Sequence, residues 1–219
     1  MKDNFFLSLV FSLLLLNACH EQHATKSNPT IASPKATNST QAAFLRDSCK
    51  QFLHDGCIVL RTGNDAISSM FAQLNKTDRT FSHCGIAFEE EGQWYVYHSI
   101  GGEDNPDAKL RRDHYEKFVS RNHNLGFGIC QYPLQLSQIK ELKQIVLEFY
   151  HQEIPFDMDF SLKSNHRFYC AEMVYKSFHK ALQVDTFFQT TKHAGFEYVS
   201  TDNLFVNEKA KMLCHVVYP

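Results

Sequence analysis

Catalysis by a thiol needs three things: a thiolate, a neighbouring imidazole, and a group that holds the imidazole in orientation. Cys170, His83 and His98 meet those needs best in this chain. From Phe168 to Leu182, Ala171, Val174, Phe178, Ala181 and Leu182 recur at helical spacing, which predicts an amphipathic helix with Cys170 in its first turn. Unpaired backbone N–H groups and the positive end of the macrodipole stabilise a thiolate there and lower its pKa. The same N–H groups can receive the oxyanion of a tetrahedral intermediate. No other cysteine has this support.

His83 is the candidate base. In Phe81-Ser82-His83-Cys84-Gly85-Ile86-Ala87-Phe88, strand alternation puts His83, Gly85 and Ala87 on one face and Cys84, Ile86 and Phe88 on the other. The small neighbours of His83 leave room for a helix end carrying Cys170 to dock on that face, while Ile86 and Phe88 fill a core opposite. A second strand, Trp94 to Ile100, follows through Glu89-Glu90-Glu91-Gly92-Gln93, so the pair reads as a hairpin. A two-residue turn at Glu91-Gly92 puts His98 opposite Gly85, on the face of His83 and within reach of it. A three-residue turn would flip that parity and remove His98 from the site.

The other elements frame these two. Gly56 to Arg61 reads as a short buried strand, and Thr62-Gly63-Asn64-Asp65 as a turn into a helix with Ile67, Met70, Phe71 and Leu74 on one face. Lys109 to Val119 reads as helical and Leu125 to Tyr132 as a strand. Ser137 is the expected N-cap of a helix carrying Ile139, Leu142, Ile145, Val146 and Phe149, and Lys211 to Tyr218 a last strand. Strands and helices do not alternate as βαβ units, so the expected class is α+β with a mainly antiparallel sheet.

Four segments together resemble a known family: Gly56-Cys57-Ile58-Val59-Leu60-Arg61-Thr62-Gly63, Phe81 to Ile86, Val96-Tyr97-His98-Ser99 and Phe168-Tyr169-Cys170-Ala171-Glu172-Met173-Val174-Tyr175. They resemble the YiiX/YaeF-like group, a circularly permuted branch of the NlpC-type papain-like cysteine peptidases, in which the histidine strand precedes the cysteine helix. The resemblance implies a permuted papain-like fold, Cys170 as nucleophile, His83 as base and His98 at the third polar position, with no cofactor. Two positions depart from the group: His98 stands where this branch usually has Glu, and Cys57 where it usually has Asp. Many unpermuted NlpC-type enzymes use histidine as the third member. The implied activity is hydrolysis of a peptide-like amide, with murein peptides the natural candidate substrate. Permuted relatives that act as lipid acyltransferases and phospholipases offer a second reading, and a non-catalytic envelope lipoprotein a third.

The N-terminus gives the expected address. Lys2, the apolar run Phe5 to Leu16, and Leu16-Asn17-Ala18-Cys19 form an export signal, since the run is shorter than the roughly 20 residues a membrane-spanning helix needs. The small residue before Cys19 resembles the bacterial lipobox, which implies a signal peptide over residues 1–18, lipidation of Cys19 and a membrane-anchored, periplasm-facing lipoprotein, with His20 favouring the outer membrane. Polar residues then predict a flexible tether over 19–43 and a structured domain over 44–219. A net charge of -2 and a pI of about 6.6 give no basic surplus for nucleic acid. Twelve histidines raise metal binding, but no HExxH or CxxC pattern completes a site. Cys57, Cys84, Cys130 and Cys214 lie in apolar runs and read as small buried hydrophobes, with the pairing of any disulfide left open.

Overall fold

The computed structural model describes residues 35–102, 105–184, 186–193 and 195–219. Cys19 and the expected export signal lie outside them. Residues 36–219 form one compact unit.

A helix, α1 (Lys35–Cys49), opens the unit, followed by a 3-10 turn, Lys50–Phe52. Helical structure thus covers the end of the stretch expected to be a tether, and Ala42 is already buried. Five strands and α-helices then alternate irregularly: β1 (Ile58–Gly63), α2 (Ala66–Gln73), β2 (His83–Glu90), β3 (Gln93–His98), β4 (Arg111–His114), the one-turn α3 (Tyr115–Phe118) and β5 (Asn124–Gln131). Two long helices follow, α4 (Leu136–His151) and α5 (Cys170–Leu182), then the small hairpin β6 (Thr191–His193) and β7 (Phe196–Tyr198), a 3-10 turn (Thr201–Leu204) and β8 (Lys211–Val217). The main sheet has the order β4-β3-β2-β1-β5-β8, and every pairing in it is antiparallel.

The β2–β3 turn settles the parity on which His98 depends. Glu91 and Gly92 both take positive φ, at 51° and 77°, the signature of a two-residue turn whose twist matches the strands it joins. The ladder therefore runs from Glu90↔Gln93 to Ile86↔Tyr97, the expected register.

Three local expectations are corrected. Residues 109–119 are not one helix, because Arg111–His114 pairs with β3 as an edge strand. There Arg112 bonds Glu90 and lies 3.3 Å over the Tyr95 ring, cross-strand contacts that outweigh helix propensity. The long helix α4 starts at Leu136, before the expected cap Ser137, with the Gln138 side chain accepting from Gln135 N–H at 2.8 Å. On α2 only Ala72 is buried and Ile67 is 61% exposed, so its apolar residues do not form a core face.

The sheet has a core on each side. Ile58, Leu60, Cys84, Ile86, Phe88 and Tyr97 pack with Leu142, Ile145 and Val146 of α4 and Met173, Val174 and Phe178 of α5. Val59, Ala87, Val96, Phe127 and Ile129 pack with Leu53, Tyr115 and Phe118. Cys57, Cys84 and Cys130 are free buried thiols, as expected of small hydrophobes. Cys214 is not: it forms a disulfide with Cys49 that ties β8 to the end of α1.

Candidate functional site

His83 and His98 share a face, as the hairpin register requires. Gly85 is what lets their strands close up, because a Cβ on it would meet the Tyr97 carbonyl oxygen at 2.6 Å and His98 Cβ at 2.9 Å. The two rings meet edge to face, with His83 Nε2 3.0 Å from His98 Nδ1. Phe118 covers both, at 5.6 Å from His83 and 4.9 Å from His98. Both imidazoles are buried, and His98 is only 1% exposed.

The edge strand β4 adds a residue that the sequence reading missed. Asp113 stands opposite Val96 and on the same face as His98, and its Oδ2 lies 3.2 Å from His98 Nε2. Its carboxylate also receives Lys117 Nζ at 2.8 Å and Arg111 at 2.9 Å. Burial pushes the Asp113 carboxyl up, but the bonds from His98 and Lys117 and the charge of Arg111 outweigh it and hold it below the usual carboxylate range. The signal for Asp113 was alternation in Arg111-Arg112-Asp113-His114, which the helical reading of that stretch concealed.

Burial sets the state of the imidazoles. Desolvation, with Arg61 and the neighbouring histidine, holds His83 well below its ordinary value. Desolvation brings His98 down to about 4, against the bond to Asp113. Both rings are therefore neutral near pH 7. Arg61, on β1 directly opposite His83, lies 4.9 Å over Phe118 and donates to Asn124 Oδ1 at 3.3 Å. Among the described residues its buried Nε has no hydrogen-bond partner.

The docking face of α5 differs from the expectation. The body of the helix packs on Cys84, Ile86 and Phe88, not on the face of His83, Gly85 and Ala87. The reason is area: Ala171, Val174 and Phe178 need large apolar partners, which His83, Gly85 and Ala87 do not supply. Cys170 consequently meets β2 at Cys84, on the face that carries Ile86 and Phe88. Its thiol takes hydrogen bonds from the Cys84 thiol, Ala171 N–H and Cys84 N–H, which together with Arg61 lower its pKa against burial. Cys84 is the residue next to His83, just past the point where the β2–β3 ladder ends. Among the described residues no hydrogen bond joins the Cys170 thiol to His83, whose bonded nitrogen faces His98.

Several bonds hold the helix start in place. Ser99 Oγ donates to Phe168 O at 2.5 Å, tying the end of β3 to the residue two before Cys170. Val199 N–H donates to Tyr169 Oη at 2.8 Å. Glu172 caps the helix, its Oε2 accepting from Tyr169 N–H at 3.3 Å.

These buried groups give the fold a pH signature. A histidine with a depressed folded pKa contributes stability that is complete above its unfolded value, near 6.5, and is lost as pH falls toward the folded value. His98 and His83 both act this way. Glu172 opposes them, because burial, against Lys176, pushes it up to about 8, so its contribution is lost as pH rises. Two histidines against one carboxyl leave one net proton, so stability is expected to fall by about 3 kcal/mol between roughly pH 6.5 and 4.5. Urea denaturation across that window checks it: Glu172→Gln should steepen the slope, and a flat wild-type profile would contradict the burial argument.

The comparisons with known proteins agree with this architecture. A family model described as permuted papain-like amidase enzyme, YaeF/YiiX, C92 family, matches residues 52–204. The crystal structure of metalloprotein yiiX from Escherichia coli O157:H7 superposes with a TM-score of 0.61 at 18% identity, covering 76% of this chain and 98% of that one. That likeness shows the fold, a permuted papain-like one. Among curated proteins no match was found. That neighbour is described as a metalloprotein; in this chain, among the described residues, no group of three or more His, Cys, Asp or Glu is placed to hold a metal ion.

Proposed function

Since the chain belongs to the family of permuted papain-like amidases, we propose that it is a cell-envelope cysteine hydrolase that cleaves a peptide-like amide bond, with murein peptides as its substrate. Cys170 is the nucleophile, His83 the general base and His98 the third member. The observation that carries this reading is the 3.0 Å bond between His83 Nε2 and His98 Nδ1, which leaves Nδ1 of His83 as the nitrogen available to a thiol that meets the adjacent residue of the strand. Contacts of this kind commonly tighten only when substrate is bound.

Attack proceeds as His83 Nδ1 takes the Cys170 proton and Sγ adds to the carbonyl carbon. The oxyanion is received by the N–H of Cys170, a helix-start donor without an intrahelical acceptor. The same imidazolium then protonates the leaving amine, and water, with its proton passed back to His83, releases the acyl group. The envelope address rests on the leader sequence and Cys19, through which the protein is held at the membrane.

One observation favours the lipid reading as the second: Phe160 bridges Phe71 and Tyr169, at 5.4 and 5.2 Å, making an aromatic wall beside the start of α5. The test is direct. The purified protein and its Cys170→Ala variant are incubated with muropeptides and, separately, with phospholipid vesicles, and the products are read by mass spectrometry. Muropeptide cleavage lost in Cys170→Ala is the expected result. Released fatty acid would transfer the assignment to lipids, and no product in either arm, with Cys170 inert to a thiol probe, would sink the hydrolase reading.

A further inference from the structure

In the series Asp113, His98, His83, the bonds are made through Asp113 Oδ2 to His98 Nε2 and through His98 Nδ1 to His83 Nε2. Each imidazole is neutral, so each carries one N–H and one lone pair. An ionised carboxylate has no proton to give, so the bond to Asp113 requires the hydrogen on His98 Nε2. His98 Nδ1 is then a lone pair and can only accept. The bond between the rings in turn requires the hydrogen on His83 Nε2, which leaves the lone pair of His83 on Nδ1, the nitrogen the proposed mechanism uses.

We propose that Asp113 is a positioning residue that fixes the tautomers of both histidines and so keeps the basic nitrogen of His83 directed away from His98. The inference rests on the reading of His83 as base. Arg111 and Lys117 complete the arrangement, because two cations on the Asp113 carboxylate keep it ionised and acceptor-only. Phe118, packed against both rings, and Arg61, which lies over Phe118, supply no acceptor that would select the other tautomer. With His98 where the family usually has Glu, the carboxylate stands a full imidazole further from His83, at Asp113. Tautomer selection, unlike direct charge stabilisation, carries across that distance because each hydrogen bond dictates the next.

The test reads the tautomers directly. In protein labelled with ¹⁵N-histidine, long-range ¹H–¹⁵N spectra are expected to show His83 and His98 both protonated at Nε2. In Asp113→Asn the amide N–H can donate to His98 Nε2, so both rings should shift toward the Nδ1–H form, and Asp113→Glu should restore them. Alkylation of Cys170 by iodoacetamide should slow by about tenfold to a hundredfold in Asp113→Asn and recover in Asp113→Glu. His83 protonated at Nδ1 in the wild type, or unchanged tautomers in Asp113→Asn, would overturn the proposal. Tautomers that follow Asp113 while Cys170 alkylates no faster than a free cysteine would uphold it and tell against the hydrolase reading instead.

Discussion

His83→Ala is expected to reduce acylation of Cys170 by about a thousandfold, within the range that a positioned general base contributes. An activated ester such as p-nitrophenyl acetate shows this as a burst of p-nitrophenol, with no need to know the natural substrate. The size of the effect follows from the environment of the thiol. Its pKa is lowered by the Cys84 thiol and two backbone N–H groups, but these donors are fixed and cannot remove a proton. Only an imidazole close to strand β2 can do that at neutral pH, and burial keeps His83 in the unprotonated form the step requires. Cys84→Ala removes a hydrogen bond to the thiol but not the base, so its acylation rate should stay within about tenfold of wild type. A burst that survives in His83→Ala but not in Cys84→Ala would reverse these two roles.

The hairpin was the most legible part of the site in the sequence. Alternation through His83 to Phe88, with Gly92 able to take positive φ, determines which residues share a face, and both properties are local. A helix with Cys170 in its first turn was legible for the same reason, as was the α+β class. What escaped the sequence depends on distant partners. Arg111–His114 is short, polar and placed at the sheet edge, so it carries no apolar period, and its strand character comes from pairing with β3. Asp113 was lost with it. The docking face of α5 is not legible from room beside His83, because the apolar area the helix must bury goes to the large side chains of Ile86 and Phe88 on the other face. Arg61 is an ordinary strand residue until the register places it opposite His83.

The disulfide between Cys49 and Cys214 is the contact that sequence spacing could least have revealed, since 165 residues separate the two cysteines. The same distance makes it a large contributor to stability. Closing a loop of that length restricts the unfolded chain, and the chain-entropy estimate is about 5 kcal/mol. The bond also determines where that stability acts, because it joins the end of α1 to β8 beside β5, in the core that includes Phe118 and so lies behind the two histidines. Cys49→Ala/Cys214→Ala is therefore expected to lose about 3 to 5 kcal/mol in urea denaturation and to fold less tightly around α1. Since both half-cystines are buried, the paired substitution is cleaner than reduction of the intact protein. Disulfides persist in oxidising compartments, so a bond that is required for stability supports the envelope address proposed from the leader sequence. An unchanged urea midpoint in the double variant would remove that support, as would alkylation of Cys49 and Cys214 in protein isolated without reductant. A large loss would mean that the fold reaches full stability only where this bond can form.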